Sequence, residues 1–212
     1  MAEGYKTNFL KRIFTSIVMI LPIVAVILFA NIWIFSILIS IICLLAMVEW
    51  IKNKFDKIFF GFLLILNFGF WSIYFILFNF DEPYLAYGII IFNTALFDTS
   101  AFIIGSKFGE TYIVKKISPN KTLEGLVGGL LASLFFSIFL IYTLESNYAI
   151  ILLLILGGFF AFIGDLLISY FKRLSGVKDT GAIFPGHGGV LDRIDSHLLA
   201  TPLLIIILLF LI

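Results

Sequence analysis

The sequence is short of charge. Lys and Arg number 14 and Asp and Glu 13, together 13% of 212 residues, where soluble domains carry about 25%. It holds a single cysteine, Cys43, so a secreted disulfide scaffold is excluded; that thiol sits in an apolar run and reads as a small hydrophobe. The net charge of +1 leaves no global field to attract polyanions. A soluble nucleic-acid binder is therefore excluded, as is a polar disordered tail. What is present in excess is hydrocarbon: 62% hydrophobic residues, 26 of them Phe, and a mean hydropathy of +1.16. These residues have too little polar surface to cover a water-soluble globule. The composition is that of an all-α, polytopic membrane protein.

The rare charges divide the chain. Between Arg12 and Glu49 lie 36 residues without one, more than one ordinary span of about 20 needs; they make either one very long helix or two short ones, read here as two with Asn31 as the natural turning point. The basic start followed by an apolar run resembles a signal peptide, but no small-residue cleavage site follows, so it reads as an uncleaved first helix. Further apolar runs predict about seven transmembrane helices, near 13–30, 32–48, 58–80, 83–105, 123–143, 148–171 and 196–212. With the N-terminus inside, one face receives Lys6, Lys11 and Arg12, then Lys52, Lys54 and Lys57, then Lys107, Lys115, Lys116 and Lys121, and finally Lys172, Arg173, Lys178 and Arg193. The opposite face receives Asn31, Asp81-Glu82 and Glu145-Ser146-Asn147, with no Lys or Arg. By the positive-inside rule the N-terminus is cytoplasmic, the C-terminus is outside, and the long loops face the cytoplasm. No internal repeat interrupts this single membrane domain, 1–212.

Two carboxylates interrupt apolar helices. Asp98 precedes Lys107 by nine residues and Asp165 precedes Lys172 by seven, which sets both roughly 10–14 Å above the basic groups at 1.5 Å per residue. A carboxylate in hydrocarbon is costly, so each requires a partner, water or a metal. Their matched depth suits one polar cavity opening inward; a pair of unrelated structural contacts is the alternative. The densest chemistry lies in 169–195, SYFKRLSGVKDTGAIFPGHGGVLDRID, with seven charges and five glycines. Asp165 and Ser169 share a helical face at i, i+4, and Asp192 and Asp195 share one at i, i+3. Asp165, Asp192 and Asp195, flanked by Lys172, Arg173, Lys178 and Arg193, form a candidate site for a divalent metal and a polyphosphate. An ordinary basic loop accounts for Lys172, Arg173 and Lys178, but not for Pro185-Gly186-His187-Gly188-Gly189 beside an Asp-Arg-x-Asp group entering a membrane helix.

The pattern Ser169-x-x-Lys172-Arg173-x4-Lys178-Asp179-x-Gly181-x3-Pro185-Gly186-His187-Gly188-Gly189-x2-Asp192-Arg193-x-Asp195 resembles the signature of phosphatidate cytidylyltransferases, or CDP-diacylglycerol synthases. Two shorter motifs fall in the family's order. Asp98-Thr99-Ser100-Ala101-Phe102-x-x-Gly105 resembles Asp-x-x-Ala-Tyr-x-x-Gly, with Phe for Tyr, and Ser118-Pro119-Asn120-Lys121-Thr122-x-Glu124-Gly125 resembles Ser-Pro-x-Lys-Thr-x-Glu-Gly. The resemblance covers the chain from about residue 95, so 96–212 reads as the catalytic half and 1–95 as spans of structural or lipid-facing role. The chain is shorter than expected for the family.

The resemblance implies transfer of CMP from CTP to phosphatidate, giving CDP-diacylglycerol and pyrophosphate. It implies Mg²⁺ with a second, monovalent cation such as K⁺, a homodimer, and an active site on the cytoplasmic face of the cell (inner) membrane. Asp165, Asp192 and Asp195 are then the expected metal ligands. Lys172 and Arg193, with Lys121, Arg173 and Lys178, are expected on phosphates; Ser169, Asp179, His187, Gly188, Gly189 and Asp98 complete the substrate site. Ser118-Pro119 suits the start of the following helix, and His197 reads as a packing residue. Alternatives are a CTP-dependent enzyme of another lipid, either an ether-lipid cytidylyltransferase or a polyprenol kinase, and a cation-coupled transporter using Asp98 and Asp165. A CDP-alcohol phosphotransferase is disfavoured because its Asp-Gly-x-x-Ala-Arg motif is missing.

Overall fold

A computed structural model describes residues 31–77, 82–181, 183 and 188–211. The expected first span, 13–30, lies outside them, as do Lys6, Lys11, Arg12, Pro185, Gly186 and His187. The described chain is helical: α1 (Ile32–Lys52), α2 (Ile58–Leu77), α3 (Pro83–Phe108), α4 (Leu123–Leu144), α5 (Ala149–Leu174), the single turn α6 (Leu191–Ile194) and α7 (His197–Leu211). The described residues form no strand; Tyr112 and Thr122 make an isolated antiparallel bridge. Among the described residues six stretches are long and apolar enough to cross a membrane, the last being Leu191–Phe210, which joins α6 to α7.

Burial is inverted relative to a water-soluble fold. Phe59, Tyr142 and Phe210 are more than four-fifths exposed, whereas Ser72, Asn93, Thr94, Ser133, Ser137 and Thr201 are wholly buried. An apolar exterior around polar interior contacts is the arrangement that hydrocarbon solvent selects. The chain is a multi-pass membrane protein.

Helix starts follow local chemistry. Asn31 is the N-cap of α1, its side chain accepting from Trp33 N–H at 2.8 Å and Ile34 N–H at 3.4 Å. α4 is capped by Thr122, whose hydroxyl accepts from Gly125 N–H at 3.1 Å. Ser118-Pro119 therefore sits in the preceding turn and does not start the helix. The last span also departs from the expected 196 start. Backbone N–H groups of Val190 and Leu191 find a carboxylate partner, which lets a helical turn form earlier, at 191. The chain then bends at Asp195-Ser196 and resumes as α7.

α5 is the centre of the bundle, packed on α3, α4 and α7, while α2 joins α1 to α7. Glycines set the closest approaches. A Cβ on Gly125 would lie 2.7 Å from the Ala101 carbonyl oxygen, joining α4 to α3, and one on Gly164 would lie 2.7 Å from the Asp195 carbonyl oxygen, joining α5 to the bend before α7. The connections after α1, α3 and α5 lie together at one end: Ser175 Oγ donates to the Lys54 carbonyl at 3.4 Å, and Arg173 Nε to the Ile117 carbonyl at 3.1 Å. Every described Lys and Arg is on this end by its place in the chain, as the charge partition expected.

Candidate active site

At the basic end, α3, α5 and the α6–α7 bend enclose a cavity of about 250 Å³. Asp98 of α3, Asp165 of α5, Asp192 of α6 and Asp195 of the bend line it, with Lys121 from the α3–α4 connection. The two intramembrane aspartates thus share one cavity, as their depth suggested. Ala101, Phe102, Leu126 and Phe162 supply an apolar side.

Each carboxylate is held differently. Asp165 pairs with Lys121 and accepts from Ser169 Oγ at 3.1 Å, so the i, i+4 relation is realised as a hydrogen bond. Lys172 Nζ lies 2.9 Å from Asp192 Oδ1 and 4.0 Å from Asp195 Oδ2, between the i, i+3 pair. The second Asp192 oxygen accepts from the backbone N–H groups of Thr180 (2.7 Å) and Gly189 (2.9 Å). Asp98 Oδ2 accepts from Ser196 Oγ at 2.8 Å, while its Oδ1 is buried with no hydrogen-bond partner. A buried oxygen left unpaired is costly, and it stands where a cation or a donor from substrate would satisfy it.

Lys121 reaches Asp165 because its connection is folded back. Ile113 N–H donates to the Lys121 carbonyl at 3.1 Å, Leu123 N–H to the Thr111 carbonyl at 2.9 Å, and Glu124 accepts from the N–H groups of Glu110 and Thr111 at 3.2 Å. The shorter Lys-Thr-x-Glu-Gly motif is in this sense a bracket that presents one lysine. Gly188 has φ +84°, and a Cβ there would stand 2.6 Å from Asp192 Oδ2. That position requires glycine for both conformation and space.

Other expected site residues lie elsewhere. Arg173 donates to the Ile117 and Val177 carbonyls, both at 3.1 Å, and ties the α3–α4 connection to the segment after α5. Lys178 and Asp179 are exposed on that segment, and Arg193 is exposed on α6; none of the three lines the cavity. His197 is in α7 with Thr201 Oγ1 at 3.4 Å from Nδ1. Among the described residues no three His, Cys, Asp or Glu side chains form a ready metal cage.

One polar residue at the site went unread as such. Glu49, at the end of α1, is 3% exposed, and its carboxylate accepts from Thr180 Oγ1 at 2.7 Å and from Val190 and Leu191 N–H at 2.8 Å. The available signal was an acid one turn inside Lys52 in an otherwise apolar helix.

A family model described as the cytidylyltransferase family matches residues 52–211. The chain belongs to the cytidylyltransferase family. Similar proteins include phosphatidate cytidylyltransferases of Staphylococcus haemolyticus (45% identical over 128 residues, 59% of this chain and 48% of that protein) and Staphylococcus saprophyticus (48% over 116 residues, 53% and 45%). That of Staphylococcus aureus is 43% identical over 128 residues, again 59% and 48%. The chain spans about half the length of these relatives.

Proposed function

We propose that this protein transfers CMP from CTP to phosphatidate, releasing pyrophosphate and forming CDP-diacylglycerol, at the cytoplasmic face of the cell membrane. The observation that carries the reading is one cavity holding four carboxylates and Lys121, with Lys172 behind them, at the basic end of an apolar bundle. The relatives' name and the cytidylyltransferase family model support the same chemistry.

The donor set fits Mg²⁺. That ion is typically held by one or two carboxylates with waters and substrate phosphates, not by a dedicated protein cage. The unpartnered Asp98 Oδ1 and a cavity wall with more carboxylates than lysines suit a divalent cation. Asp165, Asp192 and Asp195 would hold it, with a monovalent cation such as K⁺ beside them. When bound, the ion supplies charge neutralisation for the reacting phosphates.

The chain's own residues do the rest. A phosphate oxygen of the lipid forms a bond to the α-phosphorus of CTP as the bond to the β-phosphate oxygen breaks, and pyrophosphate carries away the electron pair. The attacking oxygen is already anionic, so no general base or protein nucleophile is required. Lys121 and Lys172 are placed to neutralise phosphate oxygens. The backbone N–H groups on Asp192 and the Ser196–Asp98 bond fix the carboxylates in position. Phe102, Leu126 and Phe162 give the lipid's glycerol and first methylenes an apolar wall. The enzyme works as a homodimer on this reading.

The test is pyrophosphate release by detergent-purified protein with CTP and phosphatidate, repeated with EDTA. Release that needs both substrates and is abolished by EDTA is expected. Silence with phosphatidate but activity with an ether-lipid phosphate or a polyprenol would overturn the lipid assignment, and silence with all of them would overturn the enzyme.

A further inference from the structure

Glu49 belongs to α1, outside the 52–211 stretch that the family model matches, yet it joins Thr180, after α5, to the backbone at 190–191, where α6 starts. Its Oε2 accepts from the Thr180 hydroxyl and from Leu191 N–H, and its Oε1 from Val190 N–H. One residue turn away, Asn53 Nδ2 donates to the Glu49 carbonyl at 2.8 Å and to the Thr180 carbonyl at 2.6 Å. The backbone at 180–181 and 189–191 is drawn so tightly onto the carboxylate that a Cβ on Gly181 would lie 2.7 Å from Oε1, and one on Gly189 would collide with Glu49 and Thr180. The same two backbone stretches present the Thr180 and Gly189 N–H groups to Asp192. Glu49 itself is not among the residues lining the cavity.

We propose that Glu49 is a positioning residue of the active site: it clamps Thr180 to the 189–191 backbone, and that clamp holds Asp192, and through it Lys172, in the geometry the reaction uses. A carboxylate suits the role because all three of its neighbours are donors. Glutamine offers one oxygen and one NH₂ group, so at least one donor would face another donor. Glu49 is 3% exposed and Thr180 2%, so water has little access to replace the lost partner. The link to turnover rests on the proposed cytidylyl transfer; the clamp itself does not.

Two readouts separate these. The first is the initial rate of tryptic cleavage after the exposed Lys178 in folded, detergent-purified protein. The second is kcat for pyrophosphate release, and the melting temperature is followed throughout. Leaving a buried donor unsatisfied raises local opening by about ten- to a hundredfold. Glu49→Gln is therefore expected to speed cleavage after Lys178 by that factor and to lower kcat by a similar one, with little change in melting temperature. Thr180→Val should shift both readouts in the same direction by less, and Thr180→Ser should restore them; this pair carries the test where Glu49→Gln does not fold. Unchanged cleavage in Glu49→Gln or Thr180→Val, or rapid cleavage of the wild type, would overturn the clamp. Faster cleavage with unchanged kcat would overturn its positioning role, as would a loss of kcat that merely tracks a lower melting temperature. A wild type that releases no pyrophosphate, with the cleavage difference intact, would instead refute the proposed reaction and leave the clamp standing without that purpose.

Discussion

Gly164 offers the sharpest test of how the bundle builds the site. It precedes Asp165 on α5 and packs against the bend that carries Asp195 and Ser196. A Cβ at this position would lie 2.7 Å from the Asp195 carbonyl oxygen and 3.0 Å from that of Ser196. Both are backbone atoms, which cannot rotate away, so restoring ordinary contact requires the bend to recede from α5 by about 0.7 Å. Overpacking of this kind costs about 1–3 kcal/mol, partly offset by alanine's helix propensity of about 1 kcal/mol over glycine. Gly164→Ala should therefore still fold. Its effect falls on geometry, because Asp165 stays with α5 while Asp195, and the Ser196 hydroxyl that holds Asp98, move with the bend. Misplacement approaching 1 Å costs up to about 100-fold in rate. The assay is kcat for pyrophosphate release beside thermal unfolding in detergent. Gly88→Ala in α3 is the control, since a Cβ there meets nothing within 4 Å. Wild-type kcat in a folded Gly164→Ala would refute the argument that this contact sets the carboxylate spacing.

Other perturbations probe single groups. Asp165→Asn or Asp192→Asn should lower kcat by at least about 100-fold while the protein still inserts and purifies as wild type; normal turnover in both would remove the metal-centre reading. Lys121→Ala frees Asp165 from its ion pair and should mainly raise the apparent KM for one substrate, whereas loss of folded protein would assign Lys121 a structural role. Gly188→Ala combines a left-handed φ of +84° with a clash against Asp192 and should cost about 1–2 kcal/mol from the backbone alone, lowering both melting temperature and kcat. An unchanged melting temperature would contradict it.

What could be read ahead of the structure was whatever depends on position along the chain. Runs without charge marked α1 to α5 to within a few residues, because hydrocarbon solvent penalises charge regardless of how helices pack. Depth arithmetic brought Asp98 and Asp165 to one cavity, and helical periodicity paired Asp165 with Ser169 and Asp192 with Asp195. What could not be read was set by folding between elements. Lys121 meets Asp165 only because the α3–α4 connection doubles back. Arg173 looks like a phosphate ligand beside Lys172, yet one step along a helix turns it by about 100°, onto the Ile117 and Val177 carbonyls. Glu49 was a bookend of an apolar run until the segment before α6 supplied its three donors.

The pairing of lysines with carboxylates bears on how so many charges coexist in a largely apolar bundle. Removing one partner of an ion pair leaves the other charge uncompensated; Lys172 and Asp192 are 10% and 6% exposed and Lys121 and Asp165 17% and 23%, so neither lysine is withdrawn from its carboxylate without cost. On the proposed reaction Asp165 and Asp192 would hold a divalent cation, which would supply the positive charge that the lysines give them here, and Lys121 and Lys172 could then meet phosphate oxygens. A free nucleotide would have to take the lysines while leaving the carboxylates bare. On this reading, that exchange of partners would need CTP with its metal rather than CTP alone. CTP affinity should accordingly fall when Mg²⁺ is withdrawn, and equal binding of CTP with and without Mg²⁺ would contradict the exchange.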